Sequence, residues 1–180
     1  IRNSNFSNNQ SGEFGGAIFS VSETLSIENC LFENNYTQGN DPDFTNTGGG
    51  AVGIAGYDMA PGTAIITNSI FKGNTSDTDG GAVWIDASCS AELENILFME
   101  NIGNSSVFNA GTIRLTNATL VDNEYGLGMA DSSYSHIQNS IFKNFGANLI
   151  TLASAIIESG GGNISSDATM ITPLMGYGSF

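Results

Sequence analysis

The sequence predicts an all-β chain wound as a parallel β-helix, a solenoid of about six to seven coils. Three observations predict it. A phrase returns six times: a branched apolar residue, any residue, Asn, two residues, then Phe or Leu. A second phrase, Gly-Gly-Ala-(Ile/Val), falls between copies of the first. The interval between copies bottoms out at 22 residues and lengthens only by insertion, which is how stacked coils read in sequence. A helical reading fails because Gly is frequent, β-branched residues are common and no 3.6-residue stripe persists.

The anchor Asn of the first phrase falls at Asn3, Asn29, Asn68, Asn95, Asn117 and Asn139, in steps of 26, 39, 27, 22 and 22. The apolar residue two places before it shares its side of a strand. The Phe or Leu comes three places after, so a bend is expected between. Phe6, Phe32, Phe71, Phe98, Leu120 and Phe142 should stack as the spine of the core. The anchor Asn column should form a buried ladder, each amide donating to one rung and accepting from the other.

The second phrase stands as Gly15-Gly16-Ala17-Ile18, Gly49-Gly50-Ala51-Val52 and Gly80-Gly81-Ala82-Val83. Its glycines mark a tight corner. Ile18, Val52, Ile54, Val83 and Ile85 should face inward, and Phe19, Gly53 and Trp84 outward. A third element follows the spine residue by three: Asn9, Asn35, Asn74, Asn101 and Asn123. These read as left-handed turn residues leaving the strand. The last copy departs from the pattern, with Phe145 at the expected place and Asn144 beside it. Each coil thus reads as strand, turn, strand, loop. Coils are expected over residues 1–167. An irregular tail over 168–180 should pack on the last coil and bury Met170, Ile171, Leu174 and Met175.

With 18 acidic and 4 basic residues the net charge is −14. Nucleic acid is a poor partner, because phosphate neutralisation needs Lys and Arg. Anionic membrane surfaces are disfavoured for the same reason, and no apolar run is long enough to span a bilayer. Cys30 and Cys89 fall at different places on coils about two rungs apart, roughly 9–10 Å along the stack. They should not pair, since a disulfide needs Cα atoms within about 7 Å. The chain opens inside a repeat and closes without a polar cap. It reads as a segment of a longer polypeptide, or as a subunit whose ends stack on neighbours.

Together the two phrases resemble right-handed parallel β-helix proteins of bacterial surfaces. Gly-Gly-Ala-(Ile/Val) with Phe-x-x-Asn is similar to the repeats of the chlamydial polymorphic outer membrane proteins. The motifs stand as Gly15 to Ile18 with Phe32 to Asn35, Gly49 to Val52 with Phe71 to Asn74, and Gly80 to Val83 with Phe98 to Asn101. The resemblance covers about residues 1–167. It implies a secreted or surface-displayed passenger, an extracellular or bacterial cell-surface location, and adhesion to a glycan or surface protein of a host or the environment.

Candidate chemistry is sparse. Trp84, Phe19, Tyr57 and Tyr36 could form an exposed aromatic patch of the kind that binds sugar rings, or pack on their neighbours. Asp41, Asp43, Asp77 and Asp79 precede successive Gly-Gly corners and could converge on calcium, or form a solvated acidic loop. No other cofactor is expected. Arg114 and His136 hold matching places one coil apart, so they should be neighbours on adjacent rungs. The first reading is a non-enzymatic adhesive passenger or stalk. A polysaccharide lyase or hydrolase on the same fold is the second, and a self-stacking filament the third.

Overall fold

The computed structural model describes residues 1–39, 47–57 and 60–167. Among them there is no helix, and every pairing between strands is parallel. The chain is an all-β parallel solenoid of about six turns. Four sheets run along its axis. A seven-stranded spine sheet is built from Asn5–Ser7, Leu31–Glu33, Ile70–Lys72, Leu97–Met99, Thr119–Val121, Ile141–Lys143 and Ile164–Ser165. A six-stranded corner sheet follows the Gly-Gly phrase: Ile18–Val21, Val52–Ala55, Val83–Ile85, Val107–Asn109, Leu127–Met129 and Leu149–Thr151. A six-stranded long sheet takes Thr24–Glu28, Thr63–Thr67, Ser90–Glu94, Thr112–Thr116, Tyr134–Gln138 and Ile156–Gly161. A short sheet of Gln10–Ser11, Tyr36–Thr37 and Thr75–Ser76 flanks the first coils.

Each coil therefore has three main strands where the sequence suggests two. The anchor phrase straddles a corner. Ile27, Ile66, Leu93, Leu115 and Ile137 end the long sheet fully buried. The anchor Asn turns the chain, and Phe or Leu opens the spine sheet. The Phe column stacks as expected: ring centroids lie 4.9 Å apart for Phe6 and Phe32, 4.7 Å for Phe32 and Phe71, and 5.1 Å for Phe71 and Phe98. Leu120 and Phe142 continue it in register. Offset stacking of this kind adds to the burial of each ring.

The two Asn columns exchange the roles expected of them. Asn3, Asn29, Asn68, Asn95, Asn117 and Asn139 are exposed and hold φ between 50° and 56°. The left-handed residue breaks the two-residue alternation, so the anchor side chain swings outward instead of following its apolar neighbour inward. There the amides bond along the surface, with Asn29 donating to Asn3, Asn95 to Asn68 and Asn117 to Asn95.

The buried ladder is the other column. Asn35, Asn74, Asn101 and Asn123 are fully buried. The Nδ2 of Asn9, Asn35, Asn74, Asn101 and Asn123 donates to the Oδ1 one rung on at 2.8–3.0 Å. The backbone N–H of each donates to the same oxygen. The second Nδ2 hydrogen goes to a spine carbonyl: Asn35 to Phe6, Asn74 to Phe32, Asn101 to Phe71 and Asn123 to Phe98. Both donors and both lone pairs of an amide are thereby used. This explains why Phe and Asn keep a fixed spacing: the Asn of one coil closes on the Phe carbonyl of the coil before. The left-handed turn residues are the ones just ahead of the ladder, Asn8, Asn34, Gly73, Glu100 and Asp122.

The Gly-Gly corner has two separate causes. Gly15, Gly49 and Gly80 hold φ of 51°, 80° and 65°. Gly16, Gly50 and Gly81 are packed against the backbone of the next coil; a Cβ on Gly50 would lie 2.0 Å from the Gly81 carbonyl oxygen. Beyond the corner, Val52, Ile54, Val83 and Ile85 fill the core. Cys30 and Cys89 are both buried and free. The tail residues Met170, Ile171, Leu174 and Met175 lie outside the described residues.

Candidate binding surface

Outward positions of the corner sheet stack in one row: Phe19, Gly53, Trp84, Phe108, Gly128 and Ile150 are register partners in turn. Gly53 leaves a gap between Phe19 and Trp84. Phe14, from the segment ahead of the first corner, lays its ring across that gap. It stacks on Phe19 at 4.7 Å and tilts against Trp84 at 5.6 Å. Its backbone is held by a parallel bridge to Gly48, which in turn bridges to Asp79. A Cβ on Gly48 would lie 3.1 Å from Trp84 Cδ1, so the Gly48 backbone covers the indole.

Trp84 is consequently only 2% exposed. It faces away from the core, as expected, yet it is not an exposed platform. Its Nε1 has no acceptor among the described residues. Phe19 remains 43% exposed, and with Phe14 it walls a shallow cleft of about 280 Å³ that Ser11, Gly12 and Glu13 complete. Phe14 is the member that sequence reasoning missed. Its signal is its place directly before a Gly-Gly corner.

The other two aromatic candidates stand elsewhere. Tyr36 lies on the short sheet, where its hydroxyl donates to Asp77 at 2.6 Å. That bond, with a smaller contribution from desolvation, raises the phenol's pKa. Tyr57 lies past the end of the Val52–Ala55 strand, tied by its backbone N–H to the Ser22 hydroxyl at 2.7 Å. It is largely exposed. The four residues do not form one patch; Phe19 and Trp84 are joined through Phe14.

Of the acidic candidates, Asp77 is engaged with Tyr36. Asp79 is partly buried, and desolvation raises its carboxyl pKa more than an Asn104 hydrogen bond lowers it. Asp41 and Asp43 lie outside the described residues. Among the described residues no group of three or more His, Cys, Asp or Glu is placed to hold a metal ion.

Arg114 and His136 are register partners, as their spacing suggests, in an outward row of Glu92, Arg114, His136 and Glu158 on the long sheet. His136 Nδ1 lies 3.8 Å from Glu158 Oε2, and the Tyr134 hydroxyl donates to the same carboxylate. That donor, aided by His136, lowers the pKa of Glu158. A general acid needs the opposite shift, so Glu158 is held ionised and suits binding better than proton donation. Arg114 has no ion pair among the described residues. It lines a groove of about 320 Å³ with Glu92, Thr112 and Tyr134.

The repeat itself is recognisable. Residues 3–21 and 68–86 match the Chlamydia polymorphic membrane protein repeat. Each match spans one Phe-x-x-Asn and the following Gly-Gly-Ala: Phe6 to Asn9 with Gly15 to Ala17, and Phe71 to Asn74 with Gly80 to Ala82. The shared motif is thus the inner ladder, its spine residue and the corner that closes the coil. No curated protein and no solved structure matches the chain.

Proposed function

We propose that the chain is a surface-displayed passenger, a non-enzymatic rod whose outer faces adhere to a partner. The observation that carries this reading is the match of two coils to an outer-membrane protein repeat whose residues build the inside of the rod. Phe14, Phe19 and Trp84 lie within the same two matched stretches, and outward side chains on a rigid scaffold are the ones placed to meet a partner. No helix among the described residues is long and apolar enough to cross a membrane.

The adhesive element on this reading is the stacked Phe14–Phe19 pair, an apolar shelf beside Glu13 and Ser11. Stacked rings with polar neighbours suit a sugar face. A glycan array, run with calcium and with a chelator, tests it. The expected result is a glycan signal that Phe19→Ala removes while the circular dichroism spectrum is unchanged. Silence across the array, or a signal that survives Phe19→Ala, sinks the shelf as the adhesive site. Loss of the signal only under the chelator would support calcium at the acidic loops.

A second reading, a carbohydrate-active enzyme, is favoured by the Glu92–Arg114–His136–Glu158 row. It requires cleavage of some polysaccharide that His136→Ala abolishes. Intact polymers after incubation with the native chain would remove it.

A further inference from the structure

The last regular coil turns one residue early. In earlier coils the ladder Asn comes three residues after the spine residue; here Asn144, two after Phe142, takes the rung by accepting from Asn123. Phe145 is pushed out and is 82% exposed. Its backbone N–H donates to Asn123 O, the bond that Glu124 makes to Asn101 and Ile102 makes to Asn74. Phe145 therefore stands in one outward column with Glu124 and Ile102, itself 51% exposed.

Beside that column runs the left-handed turn column, which carries Asn8, Asn34 and Gly73 in the early coils and Glu100 and Asp122 here. Both acids hold positive φ, 58° and 54°. Left-handed backbone costs a Glu about 1 kcal/mol, and like charges one rung apart repel. The coil's turn itself requires a left-handed residue, and Asn8, Asn34 and Gly73 supply it without charge in the early coils. The turn does not require an acid, so the choice of Glu100 and Asp122 points to the charge itself. Glu124 leans back so that its Oε2 accepts from Gly103 N–H at 3.3 Å. Glu100, Ile102, Asp122, Glu124 and Phe145, with Asn101, line a groove of about 470 Å³. No Lys or Arg lines it, and none of its three carboxylates is in an ion pair among the described residues.

We propose that this groove docks an arginine-bearing basic segment of a partner protein. The argument is complementarity of both kinds. The alkyl stem of an Arg can lie on Ile102, its guanidinium plane can stack on Phe145, and its fork can reach the flanking carboxylates. The −14 charge of the chain steers a cation toward the rod, and the groove gives it a place to stop. The inference stands apart from the glycan shelf, which lies on the first coils.

Fluorescence anisotropy with labelled hexa-arginine tests it. One variant removes the ring, Phe145→Ala. A second neutralises the groove, Glu100→Gln with Asp122→Asn and Glu124→Gln. A third makes the same net-charge change elsewhere, Glu23→Gln with Asp86→Asn and Glu94→Gln. The first two are expected to weaken binding about tenfold or more and the third by less than about threefold, since one contact of this kind is worth about a decade in affinity. Amide shifts in the native chain should centre on Ile102, Glu124 and Phe145. Equal losses from both charge triples would reduce the effect to bulk attraction and overturn the proposal. So would native affinity in Phe145→Ala, or equal affinity for an uncharged peptide. Self-association that Phe145→Ala abolishes would assign the groove to a second copy instead.

Discussion

An Asn amide has two donors and two acceptor lone pairs, and its side chain is short enough to bond its own backbone. Those properties suit two places in a coil, and the chain uses both. Outside, Asn68 tolerates φ of 51° at an exposed corner. Inside, Asn74 takes two bonds from Asn35 and gives one each to Asn101 and the Phe32 carbonyl. The two should respond differently to mutation. Asn74→Ala strands the Asn35 donors and the Phe32 carbonyl in the core and should cost about 3 kcal/mol. Asn68→Ala should cost about 1 kcal/mol, and Asn68→Gly close to nothing. Urea denaturation of the three variants checks the order. Asp79 gives a pH signature at the same scale. Burial raises its carboxyl above the ordinary 3.8. A group whose pKa is higher folded than unfolded lends stability below the unfolded value and loses it as pH rises through the folded one. Asp79→Asn should therefore melt above the native chain at pH 7, with the gap closing as pH falls through the raised folded value and gone below 3.8.

At the scale of elements, the corner is where geometry leaves least room. Gly50 sits against the Gly81 and Thr75 carbonyl oxygens, while Gly12 has open space around its missing Cβ. Gly50→Ala should cost about 3 kcal/mol, the upper range for forced overpacking. Gly12→Ala should be neutral or stabilising by about 0.5 kcal/mol, through the unfolded chain. Thermal melts of the pair separate the two glycine uses; equal melting temperatures would contradict the close approach of coils at Gly50. The same closeness accounts for Trp84. Its own strand turns it outward, and a segment bridged to the neighbouring coil then covers it.

At the scale of the whole rod, coil stability sums over neighbours, but charge acts over all coils at once. Among the described residues there are two ion pairs, Arg2–Glu28 and Lys72–Glu33, and a third, His136–Glu158, when the imidazole is protonated. All involve exposed or partly exposed side chains, and such pairs contribute at most about 1 kcal/mol each. Against them stands a net charge of −14. Self-repulsion should dominate at low ionic strength, so added sodium chloride should raise the melting temperature until the Debye length falls to about 8 Å. A melting temperature that falls with salt would mean that the ion pairs outweigh the repulsion. The inner ladder also has a direction. Amides donate from Asn9 onward, and Asn148 N–H closes on the Asp167 carboxylate at 2.9 Å, an acceptor that cannot donate while ionised.

The sequence alone determined the coil, its 22-residue minimum and the Phe spine, because residues one turn apart must share a column in any stacked solenoid. It also placed Arg114 beside His136 for the same reason. Which Asn column faces inward was decided only in three dimensions: one left-handed residue reverses the strand alternation, and no spacing rule records where that reversal falls. The aromatic surface was equally hidden. Phe14 is no neighbour of Trp84 along the chain, and it reaches the indole, which the Gly48 backbone also covers, only because coil stacking brings a bare Gly53 between Phe19 and Trp84. The Phe145 groove needed both levels, a visible break in the repeat and the ladder that made Asn144 fill the rung.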